Sequence, residues 1–347
     1  MTVNNVPDFK LTMGGQDLRG SIFDELAKFL DITNKVRPRL ISLSLSEKRG
    51  GEADSLDLVL DDTDGKLAIP STGARLHLQI GWVKGSAVKI GLVDKGIFTV
   101  DEVSTEGPPD TVTIRARSAD FTSDLKTRRE ESHNETTLGE IVAKIASRHK
   151  LKAQCAAALA GIAITAKAQN RESDIAFLKR IGHEHDAVAT IKAGTLILSP
   201  IGSGMTPSGR ALPQLTVKRS DGDRHSFRIE KRDEAAGVTA TWHDRSAAKR
   251  KSVTVGKAEG AKKLRKVHST EEDARTAAKA ESGRSARSGR SLDLTLALGN
   301  AAVYPEQRVK VEGFKAEIDA GGWLLSEVTH SITDRGFATS LKLEGVD

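Results

Sequence analysis

The chain has 347 residues, of which 38% are hydrophobic and 29% charged, with 31 Gly and 9 Pro. This balance excludes a disordered or fibrous protein, and the length predicts two or three compact units, each with its own core. The formal net charge of +6 is unevenly spread, because residues 245–290 hold fourteen Lys or Arg against five Asp or Glu and leave the remainder about −3.

Residues 39–118 predict short antiparallel strands. Leu56, Leu58 and Leu60 occupy every second position, and the run 76–80 repeats this spacing, which is typical of strands with one buried face. Turn residues separate the strands, notably Asp-Asp-Thr-Asp-Gly at 61–65 and Gly-Pro-Pro-Asp at 107–110. Closely spaced strands of this kind predict a barrel or a sandwich.

The middle of the chain changes to a helical period. Thr137 and Glu140 have the spacing of a capping box, and apolar residues follow on one face of the predicted helix 137–148,. A second helix is predicted to begin near Ser173, with Asp174 in its first turn, where the helix dipole favours an acid,. Residues 187–198 return to alternation and predict further strand structure.

Strands are predicted again after residue 212, interrupted by the basic segment. Residues 269–287 are rich in Ala, Glu, Lys and Arg and predict a solvated helix, with the preceding basic residues as a linker. Strand patterns return at 292–298, 308–312, 323–328 and 339–343. The predicted class is therefore α+β, mainly β, with two β regions flanking a mixed α/β centre.

The order of short motifs along most of the chain resembles the phage late control D, or tail baseplate hub, family, which is similar to the hub part of type VI secretion spikes. The positions that carry this resemblance include Asp54, Asp64, Gly65, Gln169, Ser173, Asp174, Phe177, Leu178, Gly322, Trp323, His330, Gly336 and Thr339. Two departures stand out: Asp186 occupies a place after the central helix where the family often has glycine, and residues 245–252 are unusually basic.

The resemblance implies a domain plan. Residues 1–122 and 206–347 would each form a tail-tube-like antiparallel β-barrel, flanking a central α/β region at 123–205 with a LysM-like helix. The second barrel would carry the basic helical insertion at about 245–290. A homotrimer of such chains would present a ring of six similar barrels, suited to join a six-fold tube to a three-fold spike.

The same resemblance implies a function without catalysis. The chain would be a structural protein of a contractile tail, located in the virion baseplate after synthesis and assembly in the host cytoplasm. Its partners would be further copies of itself, the trimeric spike, the tail tube and other baseplate proteins, with contact to DNA in the lumen during ejection. No cofactor and no membrane insertion are expected.

Several residues invite a chemical interpretation that we weigh against a structural one. The turn 61–65 resembles a calcium loop, but Leu60 and Ser71 occupy positions where an EF-hand needs acids,. His183, with the acids and histidine up to Asp186, lacks the i, i+4 histidine pair of a helical metal site and is predicted to be an exposed helix end,. Cys155, the single cysteine, is predicted to be a small buried hydrophobe,.

Two alternative functions remain open at this stage. The LysM-like helix 137–148 would suit a peptidoglycan-binding or wall-degrading tail protein, although no Gly-x-Ser-x-Gly nucleophile elbow is found,. The basic segment, from Lys249 to Lys266 in particular, would suit a nucleic-acid-binding protein. Interspersed acids and the lack of aromatic residues in that segment favour a solvated or protein-contacting surface.

Overall fold

A computed structural model describes residues 4–14, 29–50, 53–118, 125, 127–192, 194–206, 209–230, 237–244 and 246–346. The strands are β1 (Val6–Gly14), β2 (Leu30–Asp31), β3 (Leu40–Lys48), β4 (Ser55–Asp61), β5 (Arg75–Lys84), β6 (Gly91–Glu106), β7 (Thr111–Ser118), β8 (Arg128–Thr137), β9 (Lys152–Cys155), β10 (Ala163–Ser173), β11 (Ala187–Lys192), β12 (Thr195–Pro200), β13 (Leu215–Lys218), β14 (Gly222–Ile229), β15 (Gly237–Asp244), β16 (Lys249–Gly256), β17 (Lys262–His268), β18 (Arg290–Leu296), β19 (Arg308–Glu312), β20 (Gly322–Thr333) and β21 (Gly336–Val346). The helices are α1 (Thr33–Val36), α2 (Leu138–Arg148), α3 (Ala157–Ala160), α4 (Asp174–Glu184), α5 (Glu271–Ser288) and α6 (Ala316–Asp319), with 3₁₀ turns at Arg37–Arg39 and Arg219–Asp221.

Thirteen of the described strands form one large sheet that joins the two ends of the chain. Its main path runs β14-β18-β21-β20-β3-β4-β7-β6-β5-β1-β2, and β19 and β13 attach beside β20. The pairing of β3 with β20 connects the halves, with Leu45 opposite His330 and Leu43 opposite Ile332. A backbone ladder between residues so distant in sequence holds the first and last β regions in one register.

Each half of the sheet has its own apolar core. In the first half, the inward residues of β1, β3, β4, β5, β6 and β7 all pack in one cluster, so these strands must curl around a shared interior. In the second half, Trp323 and the inward residues of β18, β19, β20 and β21 form another cluster. Alternating burial along β4, where Leu56, Leu58 and Leu60 are buried, follows the sequence pattern.

The central region packs two helices against small sheets. β8 pairs with β10, and β9, β12 and β11 form a three-stranded sheet. Apolar faces of α2 and α4 share a core with β11 and β12. The capping box is confirmed, since the Thr137 hydroxyl accepts from the Glu140 N–H at 3.2 Å and the Glu140 carboxylate accepts from the Thr137 N–H at 2.8 Å.

The basic segment forms more structure than the sequence predicts. A helix is present, as expected, but the residues assigned to a linker form β16 and β17, which flank β15 in a three-stranded sheet. Helix α5 covers one face of this sheet, and Val238, Ala240, Val253, Ala274 and Ala278 are buried between them. The charged residues obscured the strands, because the fully buried core here consists of small apolar side chains at alternate positions,. We call residues 237–288 the insertion.

The predicted class, α+β and mainly β with antiparallel sheets on both sides of a mixed centre, is confirmed. The strand pairings of the two β halves, among the described residues, form one continuous sheet and do not show either half closed as a barrel. In the described part of the chain, no helix combines the length and the apolar character needed to cross a lipid bilayer.

Candidate functional site: the central helix and the domain joints

The first turn of α4 holds a buried carboxylate. The Ser173 hydroxyl caps the helix by accepting from the Ala176 N–H at 3.3 Å. The adjacent Asp174 side chain is fully buried and is ringed by donors. Arg148 donates to both carboxylate oxygens at 2.9 Å, Gln169 donates at 2.9 Å, and His149 Nε2 lies at 2.7 Å. Gln169 and Asp174 are two of the positions that carry the resemblance to the hub family. They are therefore hydrogen-bonded to each other.

Burial by itself would raise the pKa of Asp174. The hydrogen bonds from Gln169 and His149 and the guanidinium of Arg148 outweigh burial, and they hold the pKa below its ordinary value,. Arg148 also contacts Glu131 on β8, with 2.5 Å between Nη2 and Oε2. The carboxylate thus ties together α2, α4 and the β8–β10 pair, and its acceptor positions are used within the protein.

Phe177 and Leu178 extend from the same helix into the central core. Both are completely buried. The ring of His133 stacks on Phe177 with centroids 5.0 Å apart, and the Arg180 guanidinium lies 5.2 Å from the Phe177 centroid. Burial lowers the pKa of His133, so the neutral imidazole packs as an aromatic ring. These contacts are those of a packing core.

The other end of α4 meets the insertion. Asp186 has φ of +51°, a left-handed conformation that glycine adopts readily. Its carboxylate accepts from both terminal nitrogens of Arg287 on α5, one of them at 2.8 Å. Glu184 contacts Lys167 and Lys266, each at 2.6 Å. The departure from glycine at 186 therefore gives the insertion a docking point.

This contact corrects one expectation from the sequence. The helix end at 183–186 was expected to be exposed, and His183 is. The side chains of Glu184 and Asp186, however, are only 15% and 20% exposed because the insertion covers them. Arg284 also donates to the His183 carbonyl at 2.6 Å. The acids of this tetrapeptide bind cationic side chains of the chain itself.

A second buried polar network lies where the two β halves meet. His330 on β20 is fully buried. Its Nδ1 lies 3.0 Å from the Thr339 hydroxyl, which accepts from the Asn300 N–H at 3.0 Å. Its Nε2 lies 3.2 Å from Glu47 on β3, and Lys95 on β6 donates to Glu47 at 2.6 Å. Two resemblance positions, His330 and Thr339, belong to this network.

The protonation states in this network follow from burial. Burial lowers the pKa of His330, which favours the neutral ring, and the Nε2 atom faces the carboxylate,. Burial would raise the pKa of Glu47, but the hydrogen bond from His330 and the charge of Lys95 outweigh it and lower the pKa to about 2. The charged pair Glu47–Lys95 thus lies beside the buried imidazole, at the joint between the two halves.

Asp54 and Arg49 form a third joint, at the β3–β4 connection. Asp54 accepts from the Lys48 N–H at 3.1 Å and lies 3.7 Å from Lys192 of the central region, while burial raises its pKa. Arg49 contacts Glu306 at 2.5 Å and Glu344 at 2.7 Å. All three regions of the chain meet here.

The remaining resemblance positions serve turns and cores. Asp64 takes a bidentate contact from Arg39 at 2.7 Å, and Gly65 has φ of +62° in the same turn. Gly322 lets the Val346 backbone approach, because an added Cβ would lie 2.5 Å from its carbonyl oxygen. Trp323 is buried and donates to the Ile318 carbonyl at 3.0 Å. Gly336 turns the chain between β20 and β21 at φ of +115°.

The residues that could suggest a metal site or a reactive thiol also make ordinary structural contacts. In the 61–65 turn, Asp61 accepts from the Thr63 N–H at 2.9 Å and Asp62 from the Leu67 N–H at 2.8 Å, as in an Asx turn. Cys155 is partly buried against the central core, and burial raises the pKa of its thiol. No cluster of three or more His, Cys, Asp or Glu arranged to hold a metal occurs among the described residues.

Sequence reasoning missed the residues that connect the regions, namely Glu47, Lys95, Arg49 and Glu306. One signal was present, because Glu47 follows Leu43 and Leu45 at two-residue spacing and so belongs to the inward face of β3. A charged residue at an inward position indicates a buried partner. Nothing in the sequence identified Lys95 or His330 as that partner.

Comparison of the sequence with known protein families and with known proteins assigns this chain to a family. The sequence profile of the family described as "Phage tail baseplate hub (GPD)" matches residues 55–336. The probable baseplate hub protein of Escherichia phage 186 is 41% identical over 379 aligned positions, covering 97% of this chain and 92% of the relative. The chain belongs to the phage tail baseplate hub family. It is thus a phage tail baseplate protein, and its hub relatives are virion tail components.

Solved structures share the hub fold at low identity. The 43 kDa tail protein of prophage MuSo2 from Shewanella oneidensis superposes with a TM-score of 0.67 at 15% identity, covering 96% of this chain and 98% of the other. An E. coli component of the type VI secretion system superposes with a TM-score of 0.53 at 14% identity, covering 89% and 74%. The resemblance to the hub family inferred from the sequence motifs is confirmed.

Proposed function

We propose that this hub protein forms a homotrimer that joins the six-fold tail tube of a contractile tail to a three-fold spike and lines the path of DNA ejection. In this proposal, residues 1–122 and 206–347 are the two hub domains of each subunit, and 123–205 is the central region. Assembly takes place in the host cytoplasm, and the protein acts as a scaffold without catalysing a reaction.

The observation that carries the proposal is the pair of β halves within one chain. Each half has its own core, and the β3–β20 ladder holds them side by side. Three copies would supply six such halves, which is the number needed to continue a six-fold tube, while the central regions would keep three-fold symmetry. One kind of subunit could then match both symmetries.

The character of the candidate site supports a structural role. The carboxylates of Asp174 and Glu47 are buried and engaged by cations and hydrogen-bond donors of the same chain. Catalytic acids and bases need access to a substrate, whereas these groups connect strands and helices. Buried, hydrogen-bonded polar networks of this kind make the contacts between elements rigid, which suits a scaffold.

Native mass spectrometry of the 37.2 kDa chain, alone and mixed with its neighbouring spike protein at moderate ionic strength, tests the proposal. We expect a particle of three subunits, or a complex of three hub and three spike chains. Class averages from electron microscopy of the same sample should show six similar lobes around the axis. A chain that stays monomeric alone and with the spike would overturn the proposal.

A further inference from the structure

The insertion has one covered face and one open face. Helix α5 packs on the side of the sheet that presents Val238, Ala240 and Val253. Because side chains alternate along a strand, the residues between these project from the opposite side. The outer face so defined contains Thr239, Thr241, His243, Arg250, Ser252, Thr254, Lys263 and Val267. Arg265 is exposed in the irregular stretch of β17 between Lys263 and Val267, and we count it with this face.

The cations of the insertion divide between these two sides. On the helix side, Lys251 pairs with Asp244 at 2.7 Å, Lys262 with Glu281 at 2.5 Å and Lys266 with Glu184 at 2.6 Å. On the outer face, Arg250, Lys263 and Arg265 are exposed, and no hydrogen bond or ion pair joins them to the described residues. Lys249 at the start of β16 is the exception on the helix side, because it is exposed and no hydrogen bond or ion pair joins its side chain to the described residues.

The outer face holds no carboxylate that could neutralise these cations. Asp244 is the one acidic residue in β15, β16 and β17, and its carboxylate is engaged by Lys251 on the helix side. Unpaired cations repel one another and gain free energy from an external polyanion. The face therefore has the electrostatic character of a binding surface for a chain of negative charges.

Hydroxyl groups lie between the cations. The Thr239 and Thr254 hydroxyls are 2.9 Å apart, and those of Thr241 and Ser252 are 3.4 Å apart, across neighbouring strands. Arg250 on β16 lies opposite His243 and Lys263 on β17 lies opposite Thr239, on either side of β15. Two strand spacings across and four residues along place their backbones about 16 Å apart. Hydroxyls and long cationic side chains are the groups that contact DNA phosphates.

We propose that the outer face of the insertion binds the backbone of double-stranded DNA without sequence preference. This inference rests on the proposed function in one respect only, namely that DNA is the polymer that moves past this protein. An acidic protein partner fits less well, because protein interfaces depend on apolar and aromatic anchors. Val267 is the one large apolar side chain on this face, at 42% exposed.

The test is fluorescence anisotropy of a labelled 30-base-pair DNA duplex with the full-length protein at several salt concentrations. The variant Arg250→Gln/Lys263→Gln/Arg265→Gln removes three outer-face charges without breaking a contact within the described residues. The matched control, Lys84→Gln/Lys89→Gln/Arg335→Gln, removes three exposed charges from other surfaces. We expect the outer-face variant to bind DNA about tenfold more weakly or worse, with a salt slope smaller by about 2 to 3, and the control to bind as the unmodified protein does.

Equal weakening in the two variants would reduce the effect to net charge and overturn the inference. So would unchanged binding by the outer-face variant, or retention of labelled poly-glutamate with no binding of DNA, which would indicate an acidic protein partner. Native mass spectra of the same samples separate the two proposals. A trimer that does not bind DNA contradicts only this inference, and a monomer that binds DNA through the outer face contradicts only the trimer.

Discussion

The two ends of helix α4 use the same chemistry in different surroundings. At the first turn, Asp174 is fully buried and held by Arg148. Beyond the last turn, Asp186 is 20% exposed and held by Arg287 of the insertion. In both contacts an arginine donates to both oxygens of an aspartate, through one nitrogen of Arg148 and through two nitrogens of Arg287. The first contact lies within the central region, and the second joins two separately packed units.

Burial gives these contacts different consequences. A buried ion pair has already lost its hydration, so removing one partner leaves an uncompensated polar group in the interior. A partly exposed pair can be replaced by water, and salt screens it. We therefore expect the first turn of α4 to be essential for stability and the far end to be an adjustable attachment of the insertion.

The largest effect is expected from Asp174→Ala. The substitution leaves the buried donors of Gln169 and His149 without their acceptor, so the free energy of unfolding should fall by about 3–5 kcal/mol. Urea unfolding followed by tryptophan fluorescence measures this. The control Glu130→Ala breaks an exposed pair with Arg171, whose side chains are 65% and 83% exposed, and should change stability by less than about 0.5 kcal/mol. Equal losses of stability in the two variants would show that burial does not distinguish the two carboxylates.

A second buried carboxylate, Glu47, should make the stability of the protein depend on pH. The folded-state pKa of Glu47 is about 2, below its ordinary value of 4.5. A depressed carboxyl pKa contributes stability that is present above pH 4.5 and is lost as pH falls towards 2. The shift corresponds to about 3 kcal/mol. His330, with a lowered pKa, adds a loss that begins as pH falls below about 6.5.

Urea unfolding at pH 7, 5, 4 and 3 checks this expectation. In Glu47→Gln the steep loss of stability below pH 4.5 should flatten, while the shallower loss that begins near pH 6.5 should remain because His330 is still buried. Parallel pH profiles for the variant and the unmodified protein would show that Glu47 does not contribute the acid sensitivity.

A smaller effect is expected at the far end of α4. A double-mutant cycle of Asp186→Asn and Arg287→Gln should give a coupling energy of about 1 kcal/mol, reduced at high salt. Asparagine is chosen because it tolerates the left-handed backbone at 186. Hydrogen exchange should report increased opening within the insertion, with the central core unaffected. Uniform loss of protection across the chain would contradict a separable attachment.

The smallest effect is expected from Lys266→Gln. Lys266 is 59% exposed, and Glu184 keeps Lys167 as a partner, so stability should fall by at most about 1 kcal/mol. The thermal unfolding midpoint is a sufficient measurement. A loss as large as that of Asp174→Ala would mean that exposure does not distinguish the two ends.

Local patterns in the sequence determined much of the fold. Alternating leucines predicted β4 and β5, the Thr137–Glu140 box predicted the start of α2, and Ser173 marked the start of α4, because strand alternation and helix capping are short-range properties. The predicted helix at 269–287 corresponds to α5 at Glu271–Ser288. The ordered motifs also indicated the hub family, which the comparisons confirm.

Only the tertiary structure decided which side chains meet. His330 and Glu47 are almost three hundred residues apart, and Asp186 and Arg287 are about one hundred apart, so no local spacing connects them. β16 and β17 were hidden because their few apolar side chains stand among many charged ones. The sequence contained the charges and the apolar faces, whereas folding determined which charges became buried partners and which remained open to solvent.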